Sequence, residues 1–364
     1  MLSKQLKMIV LSCFLLAATP MLGQCNELLQ GIPASDGPLK VFFGFNLVNI
    51  TDVNEKEETI DFDAEIILSW VDSRLAYDPE DYGMDEWMPG DYSKSPRQVY
   101  LNDFTVNEMF QGWWPSISML NGVGNRVISS PAIGVYPDGR VIYTDSFFAK
   151  AETPMDLRRF PFDQQSLEIF FHASLYSRDE MVLIPSDHLA RTWDQNMGLA
   201  DWSRIGIETT ERPVDLLVAD GAKFQKSEVV VKIKLVRKPT HFLLSILFPM
   251  VLLVSLTWSV FWMQKESLSA RVNIAFIGIL SVVAYYFVFL DLVPEANYLT
   301  LVDAFILSTF LVLAANVVLF VVTDSLEQSG KESLAVRVDH ICRWAFPLGY
   351  VLMTAVLAMI FLSL

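Results

Sequence analysis

Six residues in the C-terminal third recur at spacings of 4, 3, 4, 3 and 4: Asn273, Ile277, Leu280, Ala284, Phe287 and Asp291. On an α-helix that spacing gathers them into one stripe, polar at both ends and apolar in the middle. If several copies turned the stripe toward a shared axis, Asn273 and Asp291 would form polar rings at the two mouths. Ile277, Leu280 and Phe287 would form narrow apolar rings between them. Such a constriction excludes ions by dewetting and passes them when it widens slightly, so the chemistry offered is gating rather than bond making. A polar residue at each end of a membrane helix is also ordinary, and the stripe could instead pack against its own neighbours, as in an anchor without a pore. Bond-making patterns do not compete with it. The four histidines, His172, His188, His241 and His340, lack paired metal-ligand spacing, and neither a nucleophile elbow nor a phosphate-cradling glycine loop is present. The expectation is no enzyme, no cofactor and no metal site.

The elements that must position the stripe are legible in the hydropathy. Four windows, 242–263, 272–290, 304–323 and 344–364, contain no Asp, Glu, Lys or Arg. Each is close to the ~20 residues a helix needs to cross ~30 Å of hydrocarbon. Spans are therefore expected at about 242–263, 267–290, 300–323 and 343–364, within a membrane domain of residues 241–364. Residues 1–23 place Lys4 and Lys7 ahead of an apolar run and end in small residues, the layout of a secretory signal. Lys265 and Arg271 lie between the first two spans and Lys331, Arg337 and Arg343 between the last two, whereas the intervening loop DLVPEANYLTLVD has no basic residue. Basic residues collect on the cytoplasmic side, so residues 24–240 are expected outside the cell or in the periplasm of a multi-pass cell-membrane protein.

Formal charge is −15, and residues 240–364 hold 8 acids against 5 bases, leaving −12 on the remainder. An acidic outer domain argues against nucleic acid as a partner and would raise the local cation concentration. Of three cysteines, Cys13 lies in the signal, Cys25 at the new terminus and Cys342 at the start of the fourth span, so no intrachain disulfide is expected. Between Lys40 and Arg237 the chain reads as short alternating runs: EIILSWVD (65–72), GRVIYTDSFF (139–148), LEIFFHAS (167–174) and VVVKIKLV (229–236). In the last, Val231, Ile233 and Leu235 point one way and Lys232 and Lys234 the other. YPDGRV (136–141) has the Asp-Gly chemistry of a hairpin turn. The expected fold is an antiparallel, immunoglobulin-like β-sandwich followed by a four-helix transmembrane bundle.

From about Val41 to Leu364 the sequence resembles the pentameric ligand-gated ion channels, the Cys-loop receptor superfamily. WWPSISMLN (113–121) resembles the family's W-x-P-D…N segment with Ser116 for the Asp, SWVDSRL (69–75) its W-x-D-x-x-L strand, and FPFD (160–163) the tip of its Cys-loop. Pro249 matches the proline of the first span, VRKP (236–239) the basic link into it, and Val293–Pro294 the loop after the second span. Thr153 and Leu167 stand where the family has its disulfide, and with a cytoplasmic loop of only about twenty residues the chain is most similar to the prokaryotic, disulfide-free branch. There the loop must hold its shape by packing, with Phe160 and Phe162 burying their rings and Pro161 restricting the backbone.

The resemblance implies a homopentamer in a lipid bilayer, a small-molecule agonist bound between outer domains and inorganic ions as the cargo. It implies that Phe160–Asp163, a turn around Glu55–Glu58, Arg237 and Leu292–Ala296 with Pro294 carry the signal, with Arg237 expected to bridge Asp163 and Glu57. The agonist positions correspond to Glu65, Leu120, His172, Ser174, Tyr176 and Phe224. With Ser174 where cation-binding members carry an aromatic, a simple quaternary amine fits poorly; Trp70 and Trp113 are expected in the core. Ala270 before Arg271 resembles anion channels, whereas Asp291, Glu266 and the acidic outer domain favour cations. Cation selectivity is the expectation, with an anion-selective channel and a poreless binding protein as alternatives.

Overall fold

The computed structural model describes residues 31–84, 87–90, 92, 95, 98–101, 110, 112–128, 131–190, 201–217, 223–262, 268–290 and 297–363. The signal expected at 1–23, Cys25, Glu266, Asp291 and the Leu292–Ala296 loop with Pro294 lie outside the described residues.

Period-two patterning becomes two sheets. The strands are β1 (Leu39–Asn54), β2 (Thr59–Val71), β3 (Gln98–Leu101), β4 (Ile117–Met119), β5 (Val127–Ile128), β6 (Ala132–Val135), β7 (Arg140–Glu152), β8 (Gln164–Ala173), β9 (Met181–Pro185), β10 (Trp202–Leu217) and β11 (Lys223–Arg237). One sheet runs β3-β6-β7-β2-β1-β9 with β5 also on β7, and the other β10-β11-β8-β4. Pairing is antiparallel except between β1 and β9. Val231, Ile233 and Leu235 are wholly buried between the sheets, while Lys232 and Lys234 stay at the surface. Facing strands bring Phe43 within 5.4 Å of Phe171, centroid to centroid, and the segment before β4 sets Trp113 edge-on to Trp70 at 5.6 Å. These rings exclude water from a core that no disulfide staples.

The Asp-Gly turn before β7 forms as its chemistry predicts. Gly139 sits at φ +81°, its N–H donates to the Tyr136 carbonyl at 2.9 Å, and the Tyr136 N–H donates to the Arg140 carbonyl at 2.8 Å. A Cβ at Gly139 would lie 2.4 Å from the Asp72 carbonyl oxygen, so the position requires glycine twice over.

Among the described residues four helices follow: α1 (Thr240–Trp262), α2 (Leu268–Leu290), α3 (Leu301–Gln328) and α4 (Glu332–Ser363), each long and apolar enough to cross a membrane. α1 and α3 pack against α2 on one side and against α4 on the other. The Thr300 side chain and Asp303 form a reciprocal capping box that starts α3. Only Ser329–Lys331 separate α3 from α4, where the sequence suggested a loop of about twenty residues. Charged residues mark the edge of the hydrocarbon, not the end of a helix, and here both helices run on past it.

Pro249 has no N–H, so the carbonyl four residues earlier, on Ser245, loses its helical partner. The chain adapts with a π-helical turn over Leu243–Leu247, and the Tyr285 hydroxyl of α2 donates to the freed Ser245 oxygen. Lower down, a Cβ on Gly278 of α2 would meet Thr257 Cγ2 of α1 at 2.2 Å. These two contacts fix how α2 is turned against α1.

Gly139→Ala is expected to destabilise the protein by ~1–3 kcal/mol through strain and the clash with Asp72. An unchanged midpoint in thermal unfolding of the detergent-solubilised protein would contradict this.

Candidate functional site

The sandwich meets the helices at a buried arginine. Arg237 closes β11 with its side chain 2% exposed; its Nε donates to Asp163 Oδ1 at 2.8 Å, Nη2 to Asp163 Oδ2 at 3.3 Å and Nη1 to Glu55 Oε1 at 2.7 Å. The guanidinium lies over the rings of Trp202 at 4.0 Å, Phe160 at 4.8 Å and Phe242 at 5.6 Å. A planar, always-charged guanidinium suits such a site because it stacks and forks at once. The expected partner Asp163 is confirmed in place, but Glu57 is not: Glu57 points outward and pairs with Lys150 at 3.0 Å, while Glu55 takes the inward position. The turn decides this, since the Asn54 side chain accepts from the Lys56 and Glu57 N–H groups, and Glu58 adopts φ +51°.

The loop from Thr153 to Asp163 holds its shape without a disulfide. Thr153 Oγ1 accepts from the Glu168 N–H at 3.0 Å, and Leu167, at the second disulfide position, is fully buried. Gln165 clips the loop: its amide donates to the Asp156 carbonyl at 2.8 Å and its oxygen accepts from the Asp156 N–H at 3.0 Å. Phe160 is buried against Phe242, centroids 4.7 Å apart, and the Phe160–Pro161 bond is cis. Phe162 departs from expectation: its ring is 39% exposed, at the edge of an apolar cavity of about 390 Å³ between α1, α3 and α4. The loop also reaches α3, with the Leu157 N–H donating to the Tyr298 hydroxyl at 2.9 Å and the Leu301 N–H to the Arg158 carbonyl at 2.9 Å.

The second cluster lies on the outer face of the four-stranded sheet. Register places Arg212, Glu228, His172 and Ser118 in one row across β10, β11, β8 and β4. Arg212 Nε donates to Glu228 Oε1 at 2.6 Å. Burial first, and the adjacent Lys226 second, lower the His172 pKa against the weaker pull of Glu228, so the ring is neutral at neutral pH. Ser174 follows β8, and its carbonyl accepts from the Lys226 ammonium. The Tyr176 hydroxyl accepts from the Trp113 indole at 2.7 Å. Phe224 is on β11, and Leu120, just after β4, is 52% exposed. Glu65 stands apart on β2 in the other sheet, accepting from the Asn46 amide at 2.9 Å, so one chain alone does not bring it to His172 and Ser174.

The third group is the α2 stripe. Asn273, Ile277, Leu280, Ala284 and Phe287 are all exposed in the chain, with Ile277 at 64%, Leu280 at 69% and Phe287 at 63%. Ala275, Gly278 and Val282, on the opposite side, are buried. At the base of α2, Arg271 Nη1 pairs with Asp339 of α4 at 2.9 Å.

Residues 21–239 match the family described as neurotransmitter-gated ion-channel ligand binding domain. The chain belongs to the neurotransmitter-gated ion-channel family. It is 25% identical over 330 residues, 90% of this chain and 85% of the relative, to a protein named proton-gated ion channel from Gloeobacter violaceus. It is 24% identical over 333 residues to the acetylcholine receptor subunit epsilon of Xenopus laevis, 86% of this chain and 61% of that one. Over 247 residues it is 26% identical to the gamma-aminobutyric acid receptor subunit theta of Mus musculus, covering 66% of this chain and 34% of that relative. Members of this pentameric ligand-gated channel family are not enzymes.

Within this family frame, the residues that the sequence did not bring forward are Trp202, Gln165, Tyr298 and Lys226, and Glu55 was named only as the start of its turn and not as the partner of Arg237. Trp202 was findable in principle: it opens a strand whose register pairs it with Arg237. Tyr298 carries no local signal, because its partners are 141 and 143 residues away in sequence.

Arg237→Met is expected to lower the unfolding free energy by ~3–5 kcal/mol, because Asp163 is left buried without its counter-charge. Glu55→Gln should lower it by only ~0.2–1 kcal/mol, and Glu57→Gln by nothing measurable. Denaturant titration of the solubilised protein checks the order, and a larger effect at Glu57 than at Glu55 would contradict it.

Proposed function

We propose that the chain is the subunit of a homopentameric channel in a cell membrane, opened by a small-molecule agonist held between neighbouring outer domains. The pore is lined by Asn273, Ile277, Leu280, Ala284 and Phe287, with Asp291 at the outer mouth. One observation supports this most: the chain packs its own α1 and α3 against one face of α2 and leaves the stripe bare, with α4 on the far side. Five copies turned inward would set apolar rings around a lumen, where a small change of radius separates dewetted from wetted states.

The agonist positions are divided in keeping with a site between subunits. His172 and Phe224 belong to the four-stranded sheet, with Leu120, Ser174 and Tyr176 in the segments that follow β4 and β8, and Glu65 belongs to the other sheet, where it would serve the neighbour's site. The agonist shifts the closed–open equilibrium only by its difference in affinity for the two states. That difference reaches α2 through Phe160, Pro161, Phe162, Asp163, Arg237 and Glu55, the loop bearing Pro294, and the Tyr298 and Leu301 contacts at the start of α3. Because one relative is named a proton-gated channel, a drop in pH is the first stimulus to apply. The permeant ions are cations, since five Asp291 carboxylates around one axis make the outer mouth negative.

Leu280→Ser is expected to hydrate an apolar ring, so that the variant leaks or responds to weaker stimulation in two-electrode recording. A closed state indistinguishable from wild type would remove Leu280 as the gate. In diluted external NaCl the reversal potential should follow sodium, and one that follows chloride would assign the pore to anions.

A further inference from the structure

The outer face of the four-stranded sheet holds one cation that no carboxylate answers among the described residues. The acid nearby on this face, Glu228, is already taken by Arg212 at 2.6 Å, and Glu211, which binds Arg178 at 3.2 Å and the Ser227 hydroxyl at 3.0 Å, belongs to the inner face with Val229. His172 beside Glu228 is neutral. Lys226 is only 8% exposed, and its ammonium donates to the Ser174 carbonyl and lies 5.7 Å from the centre of the Phe224 ring. An ammonium has three N–H donors, so two remain. Burial lowers its pKa, which means that the charged form is held at a disadvantage an incoming anion would relieve.

We propose that Lys226 receives the carboxylate of a small organic acid, whose apolar part lies against Phe224. The assignment rests on the reading above that the agonist binds on this face. Three features select a carboxylate. A quaternary amine would bring like charge to a desolvated ammonium. A phosphate is commonly met by the planar fork of an arginine, and the arginine on this face, Arg212, is engaged by Glu228. The single free donor set beside an aromatic ring matches one negative group on an apolar body. The feature was hidden in the sequence because Lys226 occupies an outward-facing strand position, where a lysine is ordinarily solvated.

The test uses the intact solubilised protein at fixed pH, titrated with sodium acetate, butyrate and benzoate, with the matching amides, and with tetramethylammonium chloride, the readout being the thermal unfolding midpoint. The carboxylates should raise the midpoint saturably and the amides should not. Lys226→Gln should weaken the apparent Kd at least ~tenfold, and Lys226→Arg should retain most of it. Should Lys226→Gln fail to fold, Lys226→Met, which keeps the packed aliphatic stem, replaces it. Unaltered titration in these variants, equal response to the amides, saturable binding of tetramethylammonium, or no carboxylate effect on wild type would each overturn the proposal. So would recovery of the wild-type midpoint by Lys226→Glu combined with Glu65→Lys, which would assign Lys226 to an ion pair between subunits. The channel reading fails separately: if carboxylates bind but neither wild type nor Leu280→Ser passes current under any stimulus applied, the pore is wrong and this site stands.

Discussion

A buried guanidinium tolerates very few arrangements, and the junction of this molecule is built around one. Arg237 ends the last strand two residues before the turn into α1, and its charge is compensated by Asp163 from one loop and Glu55 from another. Exchanging such a pair for apolar residues is often neutral for stability, whereas removing one member is not. Its value here is geometric. It fixes the loop bearing Phe160 against Phe242 of α1, and the same loop carries Leu157 and Arg158 to the start of α3. A displacement of β11 cannot leave the helices indifferent without breaking a desolvated ion pair.

The membrane half shows how α2 is oriented within the chain. Pro249 frees a carbonyl, Tyr285 takes it, and Gly278 permits close approach to Thr257. These contacts turn one face of α2 toward α1 and leave the other bare. The α2 face from Asn273 to Phe287 has no partner among the described residues of its own chain, and neighbouring copies or water must meet it. The outer face of the four-stranded sheet and this stripe are thus linked by covalent continuity through β11 into the helices and by the Arg237 cluster.

Much of this was legible in the residues. Period two gave the strands, charge-free windows gave the helices, and the stripe spacing gave the face of α2 that its own chain leaves uncovered. Arg237 and Asp163 were readable from the motifs around them. What failed to be legible depends on local backbone geometry or on distant partners. Glu55 and Glu57 both lie in the same acidic turn, and only the Asn54 caps and the positive φ of Glu58 decide which one turns inward. Phe162 follows Phe160 by two residues, yet the loop turns between them and only one ring enters the core. The α3 and α4 helices outrun their apolar windows because hydropathy reports the solvent, not the hydrogen-bonding of the backbone. Lys226 is buried beside Ser174, which follows β8, and Phe224 of its own strand, which strand alternation alone does not foresee.

The central claim, that the Arg237 cluster passes the state of the outer domain to α2, is tested most directly by a double-mutant cycle. Opening without agonist is measured by single-channel recording in a Leu280→Ser background for Arg237→Met, Asp163→Asn and the pair. The account predicts a coupling of ~0.5–3 kcal/mol in the closed–open equilibrium, with the double variant closer to the parent than the sum of the singles. Effects that add within ~0.3–0.5 kcal/mol would show that the pair stabilises the fold but takes no part in gating.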